Sequence, residues 1–278
     1  MLGLPDGVTA CLFDMDGVLT RTATVHAAAW KAMFDEFLRQ REGPSFRPFD
    51  AVEEYDEYVD GKRREDGTRS FLESRGITLP EGSPDDPPGA PTIEGLSKRK
   101  NELVLRKLEE DGVEVYPGSV DYVRAARAAG LATAVVSSSA NTAQVLDAAG
   151  IADLFDARID GLTAKERNLA GKPAPDMFLA GAEALGVPPS RAVVFEDALA
   201  GVAAGRAGGF GCVVGVDRIG QAAALKEHGA DIVVADLSEL LAGDGDSDRD
   251  GNRDGDGNRD GGRDGEGGRD GGGEGERA

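Results

Sequence analysis

Basic residues are scarce in this chain: 31 Lys and Arg stand against 51 Asp and Glu in 278 residues, a formal net charge of −20. A surface this acidic repels nucleic acid and anionic lipid, so neither is expected as a partner. Any phosphate site must then be a local positive pocket, built from a metal, a few cations and backbone amides. Cysteine is rarer still. Cys11 and Cys212 are the only two, they lie far apart, and each sits in an apolar run. They read as buried core thiols, not as a disulfide framework. A basic N-terminal segment followed by a long apolar stretch is missing, and no run of about 18 apolar residues is present to span a membrane. A cytoplasmic location is expected.

What is present suits a globular protein, with 40% hydrophobic and 29% charged residues. The length allows a large core domain plus a smaller insert. Short apolar runs of strand length occur at residues 9–13, 131–136, 192–195, 212–216 and 231–235. Helical patterns lie between most of them, at 120–129, 142–149, 175–185 and 199–207. That alternation predicts an α/β fold with a Rossmann-like parallel-sheet core. From about 21 to 112 the rhythm breaks. Helical patterns at 22–38, 52–58, 67–75 and 93–110 surround a Pro- and Gly-rich loop, with no convincing buried strand. The expected organisation is a core of residues 1–20 and 112–242 and a small helical cap domain, 21–111, inserted after the first strand. A cleft between two such parts is a common place for a ligand.

The last segment, 243–278, has no apolar residue to anchor a core and holds twelve acidic residues against six Arg. It is expected to be a disordered Gly/Asp/Arg-rich tail. Asp246, Asp248, Asp250 and Gly251 resemble the start of a calcium loop, but Gly257 stands where a bidentate Glu is needed. Gly208–Gly215 tempts a dinucleotide reading, yet its glycines enter a strand where that motif leaves one.

Four short motifs carry chemistry, each at or just past the end of an expected strand, where open parallel sheets place their sites. "CLFDMDGVLT" brings out Asp14 and Asp16; the turn at Asp16–Gly17 can re-aim the second carboxylate, and two nearby carboxylates favour a cation between them. "TAVVSSSAN" offers Ser137, either a phosphoryl ligand or part of a turn or cap. "GKPAPDMF" offers Lys172, either a surface residue or a cation facing a phosphoryl group. "AVVFEDALAG" offers Glu196 and Asp197, either metal ligands or a helix cap.

Together, in this order, the motifs resemble those of the haloacid dehalogenase superfamily over residues 8–241. The resemblance implies that Asp14 attacks phosphorus and becomes an aspartyl phosphate. Asp16 would act as general acid and base, and Ser137 and Lys172 would support the phosphoryl group. Asp14, Asp16 (by its backbone carbonyl), Glu196 and Asp197 would hold Mg²⁺. Phosphoryl transfer needs positioning and charge stabilisation more than covalent activation, which suits this set.

The insert resembles that of the β-phosphoglucomutase branch. His26 and Trp30 share a helix face at i and i+4, Thr22 precedes them, and Arg64, Lys100, Ser139 and Asn141 complete the implied substrate contacts. Trp30 reads equally well as core packing, and Arg64 lies in a basic run that is otherwise a solvated face. Ala140 stands where the branch often has a basic residue, Arg21 where an acidic one is common, and the linkers at 39–51 and 81–90 are longer. The implied activity converts β-D-glucose 1-phosphate to glucose 6-phosphate through a glucose 1,6-bisphosphate, with a Mg²⁺-dependent sugar-phosphate phosphatase as the alternative. A halide-displacing enzyme would not need Asp16, and a scaffold acting through its tail would not need the acid and Lys set. The expected partner is a small phosphorylated sugar, and the chain is expected to act as a monomer.

Overall fold

The computed structural model describes residues 2–241, and the tail with its calcium-loop reading lies outside them. β1 (Ala10–Phe13) is followed by the helices α1 (Ala23–Glu42), α2 (Arg64–Ser74) and α3 (Ile93–Asp111), with a π-helical turn at Tyr55–Val59. The chain returns through α4 (Pro117–Ala128) to β2 (Ala132–Val136). It continues as α5 (Thr142–Ala148), β3 (Ala157–Ile159), α6 (Gly161–Glu166), α7 (Asp176–Ala184), β4 (Ala192–Glu196), α8 (Leu199–Ala207), β5 (Cys212–Val216), α9 (Ala222–Glu227) and β6 (Ile232–Val234). The strands form one sheet, ordered β3-β2-β1-β4-β5-β6, and every pairing is parallel.

The central strands are largely apolar because helices cover both faces of the sheet. Cys11 and Phe13 point to one side, packing with Val135, Phe195 and Tyr122. Ala10 and Leu12 point to the other, with Val136, Val194 and Phe178. Phe13 stacks on Phe195 at 4.5 Å between centroids. Cys11 and Cys212 are both buried and free. Burial pushes their thiols up to about 12 and about 11, so they behave as inert core groups.

The topology fixes where a ligand goes. The chain builds outward from β1 to β2 and β3, then crosses back to β4 on the other side of β1. The connections after β1 and β4 therefore diverge, and the crevice lies at their carboxyl ends. Phe13 is level with Val135 and Phe195, so Asp14, Val136 and Glu196 come next, side by side.

The inserted helices have their own core. Trp30, Phe34, Phe49 and Phe71 pack together, apart from the sheet, with Phe34 and Phe71 at 4.1 Å. Buried Glu54 is paired with Arg75 at 2.7 Å. The two connections to this segment run side by side. Thr20 bridges Val115 in antiparallel fashion, the amide of Arg21 donates to Glu114 and that of Tyr116 to Leu19, both at 2.9 Å. The Tyr116 ring lies between the guanidinium groups of Arg21, at 4.5 Å, and Arg218, at 3.6 Å.

The sheet exceeds expectation by one strand. β3 is a three-residue edge strand whose Arg158 is exposed, too short and too polar to stand out as an apolar run. α6, capped by Asp160 accepting from the amide of Thr163 at 2.8 Å, was equally hidden. The helix expected at 52–58 is instead the π-helical turn. Among the described residues, no helix is long and apolar enough to cross a membrane.

Candidate active site

The sheet ladder continues one residue past β1: the amide of Asp14 donates to the carbonyl of Phe195 at 2.9 Å. This pins the Asp14 carboxylate at the centre of the crevice. Lys172 reaches it from the loop before α7, with Nζ 2.5 Å from Asp14 and 2.6 Å from Glu196. The other Glu196 oxygen accepts from the amide of Ala198 at 2.9 Å. Room for Glu196 exists because residue 201 is Gly; a Cβ there would fall 1.6 Å from Oε1. Asp197 completes the group: one carboxylate oxygen from each of Asp14, Glu196 and Asp197 lies within 4.8 Å of the others. Gly17, with φ of +84°, turns the chain against them, and a Cβ on it would fall 1.7 Å from Asp197 Oδ2.

This cluster carries more negative charge than Lys172 offsets. Burial, together with Glu196 and Asp16, pushes the Asp14 carboxyl well above its ordinary value against the pull of Lys172. Burial, then Asp60, Glu196 and Asp14, does the same to Asp197. Lys172 is pushed upward because its two carboxylates outweigh its burial. Hard oxygen donors in surplus negative charge fit a small divalent cation such as Mg²⁺.

Asp16 stands apart from this group. Its Oδ1 accepts from the Thr22 hydroxyl and lies 3.5 Å from His26 Nε2. Its Oδ2 is 3.5 Å from the Ser137 hydroxyl. The turn at Gly17 has thus re-aimed the second carboxylate, and its side chain does not join the other three. Thr22 is 2% exposed, and its hydroxyl donates to Asp16.

A cavity of about 50 Å³ opens over Asp14 and Asp16. The core side of its wall is a turn: Ser137 Oγ accepts from the amide of Ser139, and Ser139 Oγ from that of Asn141, both at 3.1 Å. Ala140 lies in the same wall. The helical side supplies Lys62, Arg64 and Lys100, a basic lid over an acidic floor. Trp30 is both part of the helical core and part of the cavity wall. It is 3% exposed and stacks on Phe34 at 5.2 Å, and it also lines the cavity, with Lys100 Nζ 4.8 Å from its ring.

Sequence reasoning missed several wall residues. Asn101 accepts from Asn141 Nδ2 at 2.9 Å, and Ser138 donates to the Gly61 carbonyl at 2.7 Å; both tie the helical segment to the core. Asp60 and Tyr55 line the same cavity. Burial, with Glu196 and Asp56 nearby, pushes Asp60 up to about 7. An Asp before a Gly reads as a turn in sequence, so nothing local marked it.

The family described as haloacid dehalogenase-like hydrolase matches residues 8–209. A β-phosphoglucomutase of Mycobacterium bovis is 58% identical over 247 residues, covering 87% of this chain and 94% of that one. Among solved structures, β-phosphoglucomutase from Clostridium difficile superposes with a TM-score of 0.66 at 25% identity, over 84% of this chain and 93% of its own. A CbbY variant from Rhodobacter sphaeroides, in complex with xylulose-(1,5)bisphosphate, has a TM-score of 0.62 at 25% identity, over 84% and 96%.

Proposed function

The chain belongs to the haloacid dehalogenase-like hydrolase family, and from that premise we propose that it is a β-phosphoglucomutase. It interconverts β-D-glucose 1-phosphate and glucose 6-phosphate. The observation that carries this reading is the placement of Asp14 between a buried Lys172 and the Asp16 turn, at the floor of a cavity roofed by Arg64 and Lys100. Residues 1–20 and 112–242 act as the core, and 21–111 as a cap.

Phosphorylated Asp14 transfers its group to the free sugar hydroxyl, whose proton passes to Asp16. The resulting glucose 1,6-bisphosphate turns round, Asp14 attacks the other phosphorus, and Asp16 returns the proton to the departing sugar oxygen. Lys172 neutralises the Asp14 carboxylate whenever it is free. Ser137 donates to the phosphoryl oxygens, while Arg64, Ser139 and Asn141 hold the distal phosphate. Asp14 and Asp197, with Glu196 and the Asp16 carbonyl, would hold Mg²⁺, which would supply charge stabilisation to the transferring group.

At about 50 Å³ the cavity has room for a few waters. A phosphorylated hexose therefore enters only when cap and core part, and reclosure keeps water from the aspartyl phosphate. A cytoplasmic location goes with this reading. A phosphatase is the second reading, favoured by Ala140 in the cavity wall, where a basic side chain would add a phosphate contact. An NMR time course with β-glucose 1-phosphate, Mg²⁺ and a trace of bisphosphate separates them. Glucose 6-phosphate is the expected product; free glucose with inorganic phosphate would replace the mutase by the phosphatase.

A further inference from the structure

The loop after β5 holds no residue of the proposed chemistry, yet it grips both turns that do. Asp217 organises it. Its Oδ1 accepts from the amides of Gly220 at 2.7 Å and Gln221 at 2.8 Å, and its Oδ2 from that of Ala222 at 3.1 Å. With the backbone fixed in this way, two side chains reach back to the centre of the sheet.

Arg218 uses its whole fork. Nε donates to the Gly17 carbonyl at 2.8 Å. Nη2 donates to Val18 at 3.4 Å and Ser119 Oγ at 3.3 Å. Nη1 donates to the Ala235 carbonyl at 2.7 Å and the Asp236 carboxylate at 3.3 Å. Its face rests on Tyr116 at 3.6 Å. Gln221 Nε2 donates to the backbone carbonyl of Asp197 at 3.1 Å.

Gly17 and Asp197 already press on each other, with no space between them for a Cβ. Both are now seen to be held from behind by one loop. We propose that Arg218 and Gln221 are positioning residues that set the distance between the turn bearing Asp14 and Asp16 and the turn bearing Asp197. They thereby set Mg²⁺ affinity and the alignment of phosphoryl transfer without touching the sugar. This rests on the metal-dependent reading above. Lysine is no substitute at position 218, because an ammonium lacks the planar fork that serves acceptors on several sides, and misplacement by about 1 Å in such a site is costly to rate.

The test is a calorimetric titration of Mg²⁺, with no sugar present, into wild type, Arg218→Lys, Arg218→Ala and Gln221→Ala, alongside turnover and thermal melting. The expected result is Mg²⁺ affinity weakened by about 10-fold or more. kcat falls in parallel, and KM for the sugar phosphate stays within about twofold. Added guanidinium ion restores part of the loss in Arg218→Ala, because Arg218 lines a cavity of about 210 Å³ through which the ion can enter. Wild-type Mg²⁺ affinity in all three variants, with only the melting temperature lowered, overturns the proposal. Should Arg218→Ala not fold, Gln221→Ala decides alone, since it removes a single hydrogen bond. A wild type that binds Mg²⁺ but leaves the sugar unchanged sinks the mutase reading and spares this one; a wild type that does not bind Mg²⁺ overturns both.

Discussion

Lys100 Nζ lies 2.8 Å from Nδ1 of His26. While Lys100 is protonated it only donates, so Nδ1 then accepts and the ring proton sits on Nε2, which faces Asp16 at 3.5 Å. Burial, reinforced by Lys100 and opposed by Asp16, brings His26 down to about 4. With Lys100 charged, the ring is a neutral donor aimed at the carboxylate proposed to move protons.

Lys100 is itself perturbed. Burial, helped by Arg64, lowers it from 10.5 to about 7. Its folded value lies below its unfolded one, so between about pH 7 and 10 the unfolded chain binds more protons, and stability rises with pH across that window. Lys100→Met should flatten this rise in urea melts taken from pH 7 to 10. An unchanged slope would remove Lys100 as its source. A sugar phosphate docked nearby raises the lysine again, so binding near pH 8 should take up protons. Calorimetry in buffers of different ionisation enthalpy reads that uptake.

Asp14→Asn should reduce turnover by roughly 10⁴-fold or more, with the fold intact. It removes one charge from the crowded carboxylate group, so the melting temperature should not fall by much. A coupled assay together with intact mass for the phosphoenzyme checks both points. Normal turnover would take Asp14 out of its role.

Gly201→Ala places a methyl 1.6 Å from where Glu196 Oε1 sits. Glu196 must move, and Lys172 loses the partner 2.6 Å away. Overpacking of this kind costs about 1–3 kcal/mol, measurable by urea unfolding, and turnover should drop as well. A variant as stable as wild type would show that α8 can shift to make room.

Arg64→Ala should harm isomerisation of the sugar phosphate more than hydrolysis of a small aryl phosphate, which has no distal group. Matching losses on both substrates would argue against a distal-phosphate contact.

Chelation should abolish turnover, and added Mg²⁺ should restore it and raise the melting temperature. Asp14 and Asp197 are pushed up in the absence of a counter-charge, so metal binding should release protons and strengthen as pH rises. Affinity that is flat between pH 5 and 8 would contradict this.

The sequence made the sheet legible because its central strands are apolar on both faces, and their ends show as the first polar residues, Asp14 and Ser137. The role of Asp16 was harder to read. Its direction depends on the positive φ of Gly17 and on the hydroxyl of Thr22, which no local pattern links to it. Asp60 and Asn101 stayed hidden because they acquire meaning only when the helical segment folds over the core. β3 stayed hidden because an edge strand with an exposed Arg carries little hydrophobic signal. The grip of Arg218 on Gly17 spans about two hundred residues of chain, and no local pattern announces it.

The antiparallel bridge between Thr20 and Val115 makes the chain leave the core and return to it at one place. Two connections joined there leave the inserted helices a single point of attachment, so any swing of that segment would pivot on it. Thr22, two residues from the bridge, would then stay beside Asp16, to which its hydroxyl donates.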